Sequence, residues 1–121
     1  MDRSLDSVYE AARSQLEPLL ASAGFRLACE THIPEAFGSA EAEYKRRDLR
    51  IRLTWDGKDR WLWCKVASVS GDAHPPPGSW RDLEAAVNML PSTAHLRSGP
   101  LTEKRIREIK DALCTYLARG E

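Results

Sequence analysis

Arginine and tryptophan side chains alternate with apolar residues in one segment of the chain, residues 41–69. Cationic groups stack on indole rings through cation–π attraction, and tryptophan and arginine are enriched at the energetic centres of protein interfaces. If this segment folds as antiparallel strands, one side of the sheet collects these groups. The predicted partner-binding residues are Arg50, Arg52, Trp61, Trp63 and Lys65.

The dipeptide Asp-Gly at residues 56–57 predicts which side chains share a face. This dipeptide is typical of tight hairpin turns because both residues tolerate positive φ. A two-residue turn would set Arg52 opposite Trp61, and a four-residue loop of residues 56–59 would shift the pairing by two. The two pairings differ by two residues, and an even difference leaves each side chain on the same face of the sheet. Both therefore place the same apolar residues on the face opposite the arginines: Leu49, Ile51, Leu53, Leu62, Cys64 and Val66.

Charge predicts the pairing of the hairpin that precedes this one. A four-residue loop of residues 45–48 would set Glu43 opposite Arg50 and Glu41 opposite Arg52. Opposite charges directly across an antiparallel pair stabilise it by about 0.2–1 kcal/mol each. Two such matches support this register independently of the apolar pattern.

Three further interpretations of the arginine–tryptophan face stay open. Long amphipathic side chains can simply cover the solvent side of a sheet. Part of the C-terminal region can instead fold over this face and bury the tryptophans. The basic residues of this segment, with aromatic residues between them, also suit single-stranded nucleic acid. Pairing with Glu41 and Glu43, and a net charge of zero, would weaken the attraction of phosphate.

The other residues that could do chemistry do not converge in the sequence. His32, His74 and His95 fall in three separate predicted loops, and no cysteine and histidine ligands have the spacing of a metal site. The three cysteines are far apart and lack a CxxC motif, which is typical of reduced thiols. No glycine-rich phosphate loop occurs. The sequence therefore predicts no catalytic site, no metal and no cofactor, and we expect a protein that is not an enzyme.

Length and charge restrict the class of protein. The 121 residues suffice for a single domain, residues 1–121, with one hydrophobic core. The 18 acidic and 18 basic side chains cancel, so no global field attracts a polyanion. The N-terminal region lacks the apolar run of a signal peptide, and no segment approaches the length of a membrane span. We expect a cytoplasmic protein that does not enter a membrane.

Apolar periodicity in the first third of the chain predicts one helix and one strand. Residues 4–23 carry apolar side chains at helical spacing, and Pro18 should kink or split that helix. Alternation over residues 25–30 predicts the first strand, in which Leu27 and Cys29 share a face. A loop is predicted over residues 31–38.

The last third of the chain predicts two helices. Ser79 is expected to cap the first of them, with Trp80 on its buried stripe, and Thr102 to cap the second. The second helix should bury Ile106 and Ile109. The predicted fold class is therefore α+β in the order α-β-β-β-β-α-α, a four-stranded antiparallel meander sheet with an N-terminal helix and two C-terminal helices.

The string HIPEAFGSAEAEYKRRDLRIRLTWDGKDRWLWCKVAS, followed by a proline loop and WRDLEAAV, resembles small uncharacterised bacterial α+β proteins. In those proteins a helix ending in GF precedes an FGN or FGS turn, a Leu-Arg strand and a Trp-Leu helix. Some of them resemble immunity proteins of polymorphic toxin systems. The similarity spans about residues 16–90, with Ser39 where asparagine is more usual. The resemblance implies a cytoplasmic bacterial binding protein that neutralises a toxin.

Together these patterns predict a non-catalytic protein-binding module, with an immunity-type protein that neutralises a partner toxin as its most specific form. A rigid sheet would present the arginine–tryptophan face to the partner, and the charges nearby would set selectivity. One alternative is a nucleic-acid-binding module that uses the same face. Another is a small secretion-chaperone-like homodimer.

Overall fold

A computed structural model describes residues 7–33, 35, 38–58, 61–69, 75–88 and 100–119. The chain has the predicted α+β architecture, with an N-terminal helix, an antiparallel sheet and C-terminal helices. The elements in chain order are α1 (Ser7–Ser22), β1 (Arg26–Ile33), β2 (Ser39–Arg46), β3 (Leu49–Asp56), β4 (Trp61–Ser68), β5 (Arg81–Asp82), α2 (Leu83–Ala86) and α3 (Pro100–Ala118).

The described residues form a sheet of five strands rather than the four predicted, and these strands lie side by side in chain order. The additional strand, β5, has two residues, which pair antiparallel with Lys65 and Val66 of β4. The prediction of a helix capped by Ser79 was wrong because the chain stays extended at Trp80, with φ −79° and ψ 135°. The helix therefore begins only at Leu83.

The hairpin of β3 and β4 keeps the predicted faces but not the predicted register. Arg52 lies opposite Lys65, which is four positions beyond the Trp61 expected for the two-residue turn and two beyond the Trp63 expected for the four-residue loop. The ladder continues to the pair of Asp56 and Trp61, so the connection is residues 57–60. An even shift moves no side chain to the other face. The predicted apolar set is accordingly buried or partly buried: Leu49, Ile51, Leu53, Leu62, Cys64 and Val66.

The hairpin of β2 and β3 is tighter than predicted. It closes through a two-residue turn in which Arg47 adopts a left-handed φ of 49°. This adds two residue pairs to the ladder and shifts the register by two positions. Glu43 therefore lies opposite Arg52, and Glu41 lies opposite Thr54. The predicted charge pairing was wrong in register, although both glutamates do lie on the arginine side of the sheet.

Strand β1 is longer and less regular than predicted. It continues to Ile33, through the first residues of the predicted loop. A register shift between Leu27 and Cys29 marks a β-bulge, which puts these two side chains on opposite faces. Their predicted common face was therefore wrong. The spacing of Leu27 and Cys29 in the sequence is that of a regular strand, whereas the bulge inserts one residue and reverses the face of every side chain after it.

The core lies between one face of the sheet and the helices. We call this side the helix-covered face. The other side, the outer face, carries Glu41, Glu43, Lys45, Arg50, Arg52, Thr54, Trp61, Trp63 and Lys65. On the helix-covered face, the apolar stripes of α1 and α3 close over β2, β3 and β4. The largest fully buried side chains include Trp55, Tyr9 and Tyr116.

Helix α1 runs through Pro18 as one helix, so of the predicted kink or split the split was wrong and the kink stays a prediction. Its end is fixed by backbone geometry. Gly24 has a φ of 92° and donates its N–H to the Ala21 carbonyl at 3.0 Å, while Phe25 donates to Leu20 at 2.9 Å. This pair of bonds is the Schellman motif, in which glycine at the left-handed position ends a helix.

A buried ion pair joins α2, α3 and β4. Arg105 is 3% exposed and Glu84 is 4% exposed. The guanidinium contacts both carboxylate oxygens, with Nη2 to Oε1 at 3.3 Å, and its Nε donates to the Leu62 carbonyl at 2.8 Å. No sequence pattern predicted this pair. Its signal is the position of Arg105 four residues before Ile109, on the stripe that α3 buries.

Helix α3 confirms the predicted inward stripe. Ile106, Ile109 and Leu113 are fully buried, and Leu117 packs against the core. Within the described residues, none of the helices combines the length and the apolar character that a bilayer crossing requires.

Candidate functional site

Two tryptophans form the apolar centre of the outer face. Trp61 and Trp63 are both partly buried, and their ring centroids lie 5.5 Å apart with the planes at 66°. This edge-to-face arrangement is the one that aromatic quadrupoles favour. The Nζ of Lys65 lies 5.1 Å from the Trp63 ring centroid, within cation–π distance. The structure thus brings three of the five predicted site residues together along β4.

Arg52 lies beside this centre but is held by its own neighbours. Its Nη2 is 3.3 Å from Oε1 of Glu43, and its Nε is 3.6 Å from Oε1 of Glu41. The guanidinium carbon also lies 4.0 Å from the ring centroid of Trp80. These contacts neutralise the charge of Arg52 locally and fix the orientation of its planar group.

Arg50 is the predicted site residue that the structure removes from the surface. It is 3% exposed, and its Nη1 donates to the carbonyls of Arg47 at 2.7 Å and Leu49 at 3.0 Å. These bonds stabilise the turn between β2 and β3, where Arg47 is left-handed. The side chain of Arg50 therefore supports the hairpin and contributes almost no accessible area to the outer face.

Trp80 belongs to the outer face although its sequence position predicted a buried helical stripe. It follows the proline-rich run in extended conformation and places its ring over Arg52. Trp80 covers Arg52, while Trp61 and Trp63 are only partly buried, so the alternative in which a C-terminal segment folds over the face and buries the tryptophans stays a prediction. A 3₁₀ turn, Pro77–Ser79, lies between the first prolines and Trp80, so the proline run alone does not predict the extended backbone at Trp80.

A second polar cluster lies where α1 meets the β1 edge of the sheet. Arg13 contacts the carboxylates of Glu17 and Glu30, and two tyrosines donate to the same carboxylates. Tyr9 Oη lies 3.0 Å from Oε2 of Glu30, and Tyr44 Oη lies 2.6 Å from Oε2 of Glu17. The cluster satisfies polar atoms beside the core and ties the helix to β1 and β2.

The pKa shifts of the side chains in this cluster are those expected for a structural hydrogen-bond network. Burial raises the pKa of Tyr9, and its hydrogen bond to Glu30 raises the pKa further. Burial and the bond to Glu17 do the same to the pKa of Tyr44. Burial alone would raise the pKa of Glu17, but hydrogen bonds from Tyr44 and Arg13 hold that pKa below its ordinary value. A general base that works near neutral pH needs the opposite shift, so Glu17 does not fit that role.

Thiols and metal ligands give no additional site within the described part of the chain. Cys64 lies in the core, where burial raises the pKa of its thiol to about 12, and this disfavours the reactive thiolate. Cys29 and Cys114 are exposed free cysteines. Among the described residues, no three histidine, cysteine, aspartate or glutamate side chains are grouped so that they could hold a metal ion.

Comparison of the chain with protein-family models, with curated proteins and with solved structures found no match.

Proposed function

We propose that this chain is a non-catalytic protein-binding module whose partner contacts the outer face of the sheet. The observation that carries the proposal is the pair Trp61 and Trp63, which stand partly exposed and in edge-to-face contact on the side of the sheet opposite the core helices. Tryptophan supplies large contact area with little loss of side-chain freedom, which is why it dominates interface hot spots.

The surroundings of the two rings have the layout of a binding surface with a rigid base. Both residues lie on β4, which is paired on both sides along part of its length. Lys65 adds one cation next to the rings, and Glu41 is the most exposed acid beside Arg52, with 40% of its side chain accessible. A partner with an apolar centre and a polar rim of both signs fits this surface.

The local charge balance favours a protein over a nucleic acid as the partner. Arg52 is engaged by Glu41 and Glu43, and Arg50 is directed to backbone carbonyls. Single-strand platforms need cations that can meet phosphates as well as exposed rings. On this basis the nucleic-acid alternative ranks below protein binding. In its most specific form the proposal is a cytoplasmic, immunity-type bacterial protein that neutralises a partner toxin.

The test is affinity capture from a lysate of the source cells with the immobilised chain, compared between wild type and the Trp61→Thr/Trp63→Thr variant. Threonine suits an exposed strand face, so the substitution removes the rings and keeps strand propensity. The matched control is Leu27→Ala, which removes an apolar side chain that is 45% exposed on β1, away from the two rings. Urea unfolding verifies that both variants fold.

We expect one stoichiometric partner with wild type and the control, and its loss with the double variant. Each hot-spot tryptophan stabilises a complex by about 2 kcal/mol or more, so the purified partner should bind the double variant at least about 1000-fold more weakly. A double variant that folds and captures the partner equally well would refute the proposal. Binding of oligonucleotides with a steep salt dependence would instead support the nucleic-acid alternative.

A further inference from the structure

Strand β1 is an eight-residue strand at one edge of the sheet. Within the described chain it pairs only with β2. Seven of its eight residues are exposed, and the two exposed large hydrophobic residues among those described, Leu27 at 45% and Ile33 at 46%, both lie on it. The opposite edge is formed by the two-residue β5. A long, uncovered edge strand is a template for pairing with another strand.

We propose that β1 pairs antiparallel with β1 of a second copy of this chain, which joins the two five-stranded sheets edge to edge about a two-fold axis at Thr31. The inference goes beyond the proposed partner binding and uses a different surface. An isologous contact of this kind requires that the strand be complementary to itself. The side chains of β1 after the bulge meet that requirement in one register.

Parity restricts the register that two copies can adopt. After the bulge, Cys29, Thr31 and Ile33 follow the outer face, and Glu30 and His32 follow the helix-covered face. Residues directly opposite each other in a joined sheet must share a face. Only registers centred on residues 30, 31 or 32 meet this condition and also pair at least three residues of the segment 29–33.

Side-chain chemistry selects among these three registers. A centre at residue 30 sets Glu30 opposite Glu30 of the second copy, and a centre at residue 32 sets His32 opposite His32. A centre at Thr31 sets Glu30 opposite His32 twice by symmetry, with threonine opposite threonine between them. Unlike partners and threonine pairs stabilise antiparallel strands, whereas like charges directly opposite destabilise them. The contacts of Glu30 with Tyr9 and Arg13 both use Oε2, and Oε1 can accept a hydrogen bond across the junction.

The bulge and the sequence also set the extent of the contact. After the bulge, pairing with β2 is uninterrupted from Cys29 to Ile33, and Pro34, which lacks an N–H, follows Ile33. The ladder between copies is thus confined to five residue pairs. Such a small interface is typical of reversible association rather than of an obligate dimer. We expect a weak dimer with a dissociation constant below about 1 mM.

Disulfide trapping tests the register directly. In the Cys114→Ser background, Ile33→Cys places a new thiol opposite Cys29 of the second copy. Directly opposite residues in an antiparallel pair have Cα atoms about 4.5–5.5 Å apart, which a disulfide can span. We expect mild oxidation to give a doubly bridged dimer. The control adds Cys29→Ser, which removes the counterpart of the new thiol and should trap no dimer, because the two copies of residue 33 lie at opposite ends of the ladder.

Analytical ultracentrifugation measures how substitutions at residue 32 change the dissociation constant of the proposed dimer. His32→Glu would set glutamates opposite each other at two symmetric positions, and a swing of about 1 kcal/mol at each raises the dimer Kd at least tenfold. His32→Lys sets a cation opposite each Glu30 and should retain the dimer. Equal urea midpoints of the monomers verify that both variants fold.

Three results would overturn the inference. The first is a wild-type chain that stays monomeric up to about millimolar concentration. The second is a dimer that tolerates His32→Glu but is lost in Trp61→Thr/Trp63→Thr, which would assign association to the outer face. The third is efficient trapping of the control that has the new thiol at position 33 but serine at position 29, which would indicate a different register.

Discussion

Replacing Arg105 by methionine tests the role of the buried ion pair in the stability of the fold. Methionine has a similar length and fills space but carries no charge. The substitution leaves Glu84, which is 4% exposed, without the guanidinium that contacts both of its carboxylate oxygens. It also removes the donor that lies 2.8 Å from the Leu62 carbonyl.

Two independent routes give the size of the loss. Removing one partner of a buried ion pair lowers the free energy of unfolding by about 3–5 kcal/mol, because the remaining charge has lost its compensation. The remaining carboxylate can escape that penalty by taking up a proton. For a glutamate with the ordinary pKa of about 4.3, protonation at pH 7 costs about 3.7 kcal/mol. The two values agree, so we expect a loss of about 4 kcal/mol.

Equilibrium urea unfolding, followed by tryptophan fluorescence, measures this loss. With a slope of about 2 kcal/mol per molar urea, the midpoint should fall by about 2 M. The matched control is Arg107→Met, at an exposed position of the same helix, which should change stability by less than about 0.5 kcal/mol. The double variant Arg105→Met/Glu84→Met should recover most of the loss, since it leaves no buried charge at this site. A loss below about 1 kcal/mol for Arg105→Met would refute this account of the pair.

Three further outcomes follow from the described geometry. Gly24→Ala should lower the free energy of unfolding by about 1–2 kcal/mol, because φ is 92° at this residue. The control Gly78→Ala should leave the urea midpoint unchanged, because an added Cβ meets no atom within 4 Å there. Ellman's reagent at pH 8 should label two of the three thiols of the folded chain and all three in urea, because Cys64 is buried and burial raises its pKa to about 12. Rapid labelling of Cys64 in the folded chain would contradict this. Stability should fall as pH rises above about 10, because the raised pKa values keep Tyr9 and Tyr44 protonated when folded while the unfolded chain releases those protons. A Tyr9→Phe/Tyr44→Phe variant that keeps the full alkaline slope would show that the decline has another origin.

The sequence predicted correctly on which face of the sheet the side chains of β2, β3 and β4 lie. Alternation around the turn at residues 56–57 assigns side chains to faces, and an error of two or four positions in register leaves that assignment unchanged. The exact register depends on how far each ladder extends toward its turn, which is a balance of backbone and side-chain terms. For that reason the glutamates lie on the predicted face, while Arg52 rather than Arg50 lies opposite Glu43.

The features that the sequence did not predict depend on contacts between distant residues. The burial of Arg50 follows from carbonyls that converge only when a left-handed Arg47 closes the turn. The place of Trp80 over Arg52 requires β5 to join the sheet, and two residues are too few to give a strand pattern. The predicted site residues Trp61, Trp63, Arg52 and Lys65 do lie on one face, but their role in binding a partner stays a prediction.

The order of the strands has a consequence for how the chain folds during synthesis. Because every strand pairs with its neighbour in sequence, each hairpin can form soon after its second strand leaves the ribosome. Core closure is different, since α3 is the last described element and supplies both an apolar stripe and the guanidinium that compensates Glu84. We expect nascent chains arrested before Arg105 to hold a formed sheet with an open apolar face and to be protease-sensitive and chaperone-bound. Addition of α3 would then close the core over the sheet and release this part of the chain from the chaperone.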